Sequence, residues 1–418
     1  MLIRNSDGML HFNVIPKSYF SHTSNSEGDR WKLCERLAAK CLVDLLTCEE
    51  EEKDELIDDC IDNILIIQAL KYAVPFLRGS VLKSSDWRSS VLPNVDEDRF
   101  KSLLRVNYFQ FETVLQEIQD NPVFNSKHSA KQMSVELQLA IVLYRLGCSG
   151  EEASIPKIAS LFGCGDDETI NMVTKRVFIA ILDKRHKLVV WPSGAEKSEI
   201  VSTTFDELPH CIGYVGGMEI ALVEKPSIDP DSYYSQKQQF SLKALIVCDY
   251  KLQVRHFICG FPGSVDEQRM FNYSSLEKKS FKYFSGMQWI AGDTAYALKP
   301  YVLTPFKTYP GCNLTERQKK CNAHFSKYSV RVKHTSRIIK EKFNSLKKLN
   351  IRISDIESIK FSCAWFSVCC ILHNMLQPTE EILSTHEAEE VGEGPAVNQE
   401  YNNMSGHAKR NALCKIFQ

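Results

Sequence analysis

The stretch Leu242-Lys243-Ala244-Leu245-Ile246-Val247-Cys248-Asp249-Tyr250-Lys251-Leu252-Gln253-Val254-Arg255-His256-Phe257-Ile258-Cys259 decides the fold class. Two short apolar runs, Leu242 to Cys248 and Gln253 to Cys259, flank Asp249-Tyr250-Lys251. Short runs of this kind around a polar turn read as a β-hairpin. Upstream, Cys211 to Val223 is apolar and carries glycines, which adds a strand before the hairpin. Downstream, Ser264 is a good cap for a helix carrying Asp266, Glu267, Arg269 and Phe271. Gln288 to Ala291 reads as a strand ending at Gly292-Asp293, and helices are expected over Arg337 to Leu349 and Ile359 to Leu376. Three antiparallel strands, a helix, a strand and closing helices make an α/β domain over residues 205–377.

Everything before residue 205 reads differently. Residues 1–30 are polar and irregular, a flexible arm. Trp31 to Cys48, Leu56 to Leu77, Phe100 to Ile118 and Ser134 to Gly147 carry apolar residues at helical spacing. Residues 31–200 are therefore expected to be all-α. Ile155 to Phe162, the turn Gly163-Cys164-Gly165 and a second helix from Glu168 to Leu182 form a helix-turn-helix pattern near 155–182. Its second helix offers Thr169, Asn171, Lys175 and Arg176 as DNA contacts; the bland alternative is an ordinary helical hairpin. The acidic tail over 378–418 reads as largely disordered, with Leu413, Ile416 and Phe417 as an apolar end.

Composition narrows the function classes without choosing one. The 418 residues carry a formal net charge of −1, so the whole chain gives no electrostatic sign of nucleic-acid binding. The charge is unevenly spread. Glu49 to Asp62 is densely acidic, whereas Arg317 to Arg352 is strongly basic with Glu341 as its only acid. No run approaches the length expected of a bilayer span, and the N-terminus lacks the pattern of a secretory signal. The 15 cysteines form no Cys-x-x-Cys pair and many lie in apolar runs, which suits free buried thiols. Cys312, Cys321, His324 and His334 are a less regular alternative for zinc.

Several blocks, taken in order, resemble the Harbinger (PIF-like) transposases and the Harbinger transposase-derived nucleases. They are Val135 to Gly147, Cys211-Ile212-Gly213, Tyr234 with Lys237 and Ser241, Cys248-Asp249, Gly260-Phe261-Pro262-Gly263-Ser264-Val265, Gly292-Asp293 with Tyr296, Glu341 before Phe343, and Leu372-His373-Asn374. The resemblance implies a ribonuclease H-like core with an Asp-Asp-Glu triad that binds Mg²⁺ or Mn²⁺ and cleaves DNA. The second and third acids map to Asp293 and Glu341, the metal and catalytic candidates. The first falls in Gly213-Tyr214-Val215-Gly216-Gly217-Met218-Glu219, where Gly216 stands in place of the aspartate.

Two metals need several converging carboxylates, and glycine has no ligand to offer. Asp266 is the candidate substitute, ahead of Glu219, whose odd offset from Gly216 points it to the other strand face. Candidate DNA contacts are Asn171, Lys175, Arg176, Lys237, Arg337, Lys340 and Lys347. The resemblance further implies a Myb/SANT-like partner, a chromatin complex and a nuclear, alternatively also cytoplasmic, location with no membrane association. The expected function is a domesticated, catalytically impaired transposase that acts as a DNA- or chromatin-associated factor. The alternative is a metal-dependent endonuclease that still cuts.

Overall fold

A computed structural model describes residues 94–125, 133–164, 167–308, 313–377 and 404–417, with the short pieces 2–4, 10–12 and residue 39. The chain divides into two units, Met1–Leu77 and Arg78–Gln418. In the first, β1 (Leu2–Arg4) pairs antiparallel with β2 (Leu10–Phe12), a strand pair inside the expected arm. The rest of that arm, and the helices expected over Trp31 to Cys48 and Leu56 to Leu77, lie outside the described residues apart from residue 39, which is helical.

The second unit begins with helices. The single helix expected over Phe100 to Ile118 is two, α1 (Glu97–Leu104) and α2 (Tyr108–Ile118). Arg105 takes a left-handed backbone at φ 64°, and Asn107 starts α2 with a reciprocal capping box to Gln110. Next come α3 (Val135–Gly147), α4 (Ile155–Leu161), α5 (Asp167–Leu182) and α6 (Gly194–Thr203).

The sheet follows, with β3 (Cys211–Leu222), β4 (Ser241–Cys248), β5 (Val254–Pro262), β6 (Trp289–Ala291) and β7 (Val302–Leu303) in the order β5-β4-β3-β6-β7. The first three pair antiparallel; β6 joins β3 in parallel and β7 joins β6 in parallel. A short β8 (Lys348–Leu349) lies parallel to the far end of β3. The β4–β5 turn is fixed by Asp249. Its Oδ1 accepts the Gln253 N–H at 3.0 Å and its Oδ2 accepts Arg255 Nε at 2.7 Å.

The longer helices after β3 are α7 (Glu267–Tyr273), α8 (Glu316–Lys342), α9 (Ile356–Met375) and α10 (Gly406–Ile416). The cap of α7 is Asp266, not Ser264. One sheet face packs Ile212, Val215, Leu245, Val247 and Ile290 against Ile200 of α6, Met270 and Phe271 of α7, and Tyr296. The other face carries α8, whose Phe325 lies 5.6 Å from the Trp289 ring, and α9, whose Phe366 lies 5.6 Å from Phe257.

Three expectations change here. The helix expected from Arg337 to Leu349 starts much earlier, at Glu316, under a Thr315–Gln318 capping box, and stops at Lys342. The tail is not wholly irregular, because α10 packs on the domain. Arg410 donates to the carbonyls of Thr304 and Pro305 and lies over the Phe306 ring at 4.0 Å, while Phe417 stacks on His324. Finally, α9 is long and apolar enough to cross a membrane. It is a core helix: Trp365 packs edge-on against Phe178 of α5, and Val368 to Leu372 are fully buried.

Candidate active site and basic cleft

Gly216 and Gly217 sit mid-strand in β3, and each faces a different layer. A Cβ on Gly216 would lie 2.8 Å from Val332 Cγ1 on α8. A Cβ on Gly217 would lie 2.5 Å from Glu267 Oε1 at the start of α7. The alternation of a strand requires this split. The space where an acid on residue 216 would project is occupied by a β-branched apolar side chain.

The parallel register of β3 and β6 ends where Tyr214 pairs with Ala291, and Asp293 follows two residues beyond the end of β6. Asp293 therefore stands at the end of a strand in an open α/β sheet, where ligand groups collect. It is half-buried, and its Oδ1 accepts the Ala295 N–H at 2.8 Å, as in an Asx turn. Glu341 does not join it. It is 59% exposed and pairs along the helix with Arg337 at 3.8 Å. It also lies nine residues beyond Val332, which is half a turn out of phase and about 13 Å along the axis. The side chain is therefore not directed at the space over Gly216 that Val332 fills.

Asp266, the candidate substitute, is exposed and spent on capping α7, its Oδ1 accepting the Arg269 N–H at 2.7 Å. The acid that does reach the glycine pair is its neighbour. Glu267 Oε2 accepts the Gly217 N–H at 3.1 Å and fills the room that the missing Cβ leaves. Burial, and then the Glu267 carboxylate beside it, raise the Tyr296 phenol well above its ordinary range. Sequence reading passed over Glu267. The signal was the Gly-Gly pair itself, since a strand with two adjacent glycines has room for another element on both faces.

Glu219 is committed elsewhere. It accepts from Ser241 Oγ at 2.9 Å, Gln239 Nε2 at 3.2 Å and Lys237 Nζ at 2.9 Å. Burial works against its charge, but hydrogen bonds from Ser235, Lys237, Gln239 and Ser241 outweigh it and hold the carboxyl at about 2.

These residues do not fit the divalent-metal site that the triad requires. Among the described residues no group of three or more His, Cys, Asp or Glu could hold a metal ion. Position 216 offers no oxygen, and Glu341 is exposed beside Arg337. Of the zinc alternative, Cys312 lies outside the described residues, and Cys321 is buried against Cys414.

What the fold does assemble is a basic cleft. The end of β3, the loop before β4, α8 and the turn after it enclose about 360 Å³ lined by Gly217, Met218 and Ser336 with seven charged side chains. Five of these are cations, Lys237, Lys333, Arg337, Lys340 and Lys347, and two are acids, Glu219 and Glu341. Lys237, Lys333, Arg337 and Lys347 are exposed. Lys340 reaches inward and donates to the Glu219 carbonyl. Burial, and then Lys237, lower its pKa. Four of the seven expected DNA contacts, Lys237, Arg337, Lys340 and Lys347, thus meet in one place, and Lys333 joins them.

The other three do not. Asn171, Lys175 and Arg176 are half-buried on α5, and burial lowers the Arg176 guanidinium. The helix pair α4–α5 exists, with Gly163 at φ 62° in the turn. But α5 buries Val173, Val177, Phe178, Ile181 and Leu182, and its Thr174 takes a 2.7 Å hydrogen bond from Arg145 of α3. It packs between α3 and α9 as a core helix.

Comparison with known proteins agrees with this reading of the sheet. Residues 215–374 match the family described as DDE superfamily endonuclease. The chain is 22% identical over 311 residues to Protein ALP1-like of Arabidopsis thaliana, covering 69% of this chain and 73% of that protein. It is 26% identical over 205 residues to the candidate nuclease HARBI1 of Bos taurus, and 25% identical over 205 residues to that of Homo sapiens. Those two alignments cover 47% of this chain and 55% of the relative, so the chain spans about half the length of HARBI1. No solved structure matches the chain significantly. The mixed sheet with Asp293 just past the end of its parallel strand lies within the segment, residues 215–374, that matches the DDE superfamily endonuclease family, and the chain is similar to the Harbinger transposase-derived proteins.

Proposed function

We propose that this chain is a domesticated Harbinger-type protein on a ribonuclease H-like core, which binds DNA and has lost its nuclease chemistry. The observation that carries the reading is Val332 packed over Gly216. An apolar side chain stands where the first carboxylate would hold a metal, so restoring that acid requires removing Val332 as well. The exposed Glu341, held by Arg337, supports the same view from α8. Family members use divalent Mg²⁺ or Mn²⁺ through converging carboxylates, and here the carboxylates do not converge.

The basic cleft supports DNA as the ligand. Cations that neutralise backbone phosphates supply sequence-independent affinity without any catalytic group. The chain's net charge of −1 fits a factor whose affinity rests on one local patch and on a partner. We place it in the nucleus with a Myb/SANT-like protein, within a chromatin complex.

Two assays test this. Purified chain is incubated with supercoiled plasmid in Mn²⁺, and separately titrated against a labelled DNA duplex. Binding without nicking is the expected result. Nicking that disappears in Asp293→Ala would replace this reading with the active endonuclease. A pull-down from nuclear extract that recovers no Myb/SANT-like protein would remove the partner from it.

A further inference from the structure

The chain after α8 runs beside the far end of β3 and leaves one edge open. The Val223 N–H donates to the Leu349 carbonyl at 3.0 Å, and the Ser227 N–H donates to the Ile353 carbonyl at 2.8 Å, four residues further along both segments. The chain therefore continues past β8 in an extended line beside residues 223–227. Successive residues of an extended chain turn their backbone groups to opposite sides. Leu349 and Ile353 spend theirs on the β3 side, so the N–H and C=O groups of Lys348, Asn350 and Arg352 line the other. Among the described residues none of these groups has a hydrogen-bond partner.

The side chains alternate with the backbone. Lys348, Asn350 and Arg352 are exposed, whereas Leu349 and Ile353 are fully buried and Ile351 is half-buried. The segment from Lys342 to Ser354 contains no acid. Arg352 is held only by Glu224 at 3.9 Å, and both side chains are more than half exposed. An open edge is a template for another strand, and its side chains decide which one. A second copy of this chain is disfavoured. Antiparallel self-pairing centred on Asn350 would set Lys348 of each copy opposite Arg352 of the other, and like charges directly opposite are destabilising. Duplex DNA offers phosphates to the cations but no strand to the row of backbone groups. An extended peptide with acids on alternate residues satisfies both.

We propose that the open edge from Lys348 to Arg352 takes an acidic, extended segment of a partner protein as an added strand. Its acids stand beside Lys348 and Arg352, and its intervening apolar residues cover Ile351 on the other face. The contact is independent of the DNA-binding reading, because it uses the backbone of the edge and needs no phosphate.

The experiment is a fluorescence-anisotropy titration of the full chain into a labelled peptide of about nine residues in which Glu alternates with Val. The control is the same peptide methylated on every amide nitrogen, which keeps the charge and side chains and removes the backbone donors. Asn350→Pro blocks the edge while leaving the bonds to residues 223–227 in place, because the N–H it removes faces outward. It should weaken binding about tenfold. Lys348→Glu should weaken it about threefold to tenfold. Lys319→Ala, an exposed cation near the start of α8, should bind as the native chain does. Hydrogen exchange followed by mass spectrometry should slow over residues 348–352 when the peptide is present, a readout that stands even if Asn350→Pro fails to fold.

No binding of the Glu-Val peptide up to about 1 mM would overturn the proposal. Equal binding of the methylated peptide, or unchanged exchange over 348–352, would show that charge alone holds the peptide and would also overturn it. Displacement of the peptide by a DNA duplex, with Asn350→Pro folded and without effect, would assign these cations to nucleic acid instead.

Discussion

Val332 Cγ1 lies 2.8 Å from the point where a Cβ on Gly216 would stand, so the two positions are complementary: a side chain on one excludes a valine on the other. Real Cβ atoms do not approach so closely, and valine is stiff at χ1, so it cannot swing clear. Gly216→Asp alone is therefore expected to destabilise the domain by about 1–3 kcal/mol through overpacking, with a further cost for placing a carboxylate against an apolar wall. Val332→Ala in the same chain should recover part of that loss. Urea unfolding of the two single variants and the double variant gives the coupling. Additive effects, within about 0.5 kcal/mol, would show that the two positions do not compete.

Glu267 and Gly217 form the matching pair on the other sheet face. Glu267→Ala leaves the half-buried Gly217 N–H without its 3.1 Å acceptor, a loss of about 0.5–1.5 kcal/mol. Gly217→Ala acts on the same bond from the opposite side, because the new methyl displaces the carboxylate. The double variant should cost little more than either single one. Asp266→Ala removes only a helix cap, about 1 kcal/mol, and should add independently to both. Chemical denaturation of the set distinguishes these cases, and an Asp266 variant coupled to Gly217 would contradict the arrangement.

The C-terminal helix α10 covers Cys321, which is fully buried beside Cys414; burial, and then Cys414, push the Cys321 thiol up to about 12. At neutral pH that thiol is protonated and shielded, hence slow to alkylate. Ending the chain at Asn403 removes Cys414, the Arg410 contacts and the Phe417 stack together. The shortened chain should melt more than about 4 °C lower, and Cys321 should react with a maleimide many times faster. Peptide mapping by mass spectrometry identifies the labelled cysteine. Unchanged labelling of Cys321 would mean that α10 does not protect it.

The parts of the fold that were legible in the sequence are those with strong local patterns. Leu242 to Cys259 was legible as a hairpin because two short apolar runs flank a polar turn. Helix α8 was read only from Arg337 because its earlier turns are basic and polar, with a thin buried stripe of Cys321, Phe325, Val332, Thr335 and Ile339. The site was harder for a geometric reason. Motif spacing placed an acid at 341, yet adjacent helix positions differ by about 100°, so Lys340 reaches the Glu219 carbonyl while Glu341 stays exposed beside Arg337. Gly216 was recognised as a lost ligand, but nothing in the linear chain shows that Val332, over a hundred residues later, fills its place. The hold of α10 was hidden because Lys409 and Arg410 bond to backbone carbonyls, which leave no mark on sequence.

Glu219 offers a test of the cleft by pH. Its carboxyl is held at about 2 in the folded chain against an ordinary 4.5, because four donors favour its charged form more than burial disfavours it. A group with a depressed folded pKa binds fewer protons when native than when unfolded, so the unfolded state gains as pH falls. The stabilisation is present in full above about 4.5 and is lost progressively as pH drops toward 2. Glu219→Gln keeps the shape and removes the charge, so it should be less stable than the native chain at pH 7. The difference should narrow between pH 4.5 and 2, because the native chain alone loses this term. The same substitution releases Lys237 from its 2.9 Å ion pair and raises the excess charge of the cleft from three to four. Duplex affinity at low salt should then rise at pH 7 while stability falls. Melting curves at half-unit pH steps and one salt titration measure both. A variant that is weaker in stability and in binding alike would mean that Glu219 shapes the cleft more than it neutralises it.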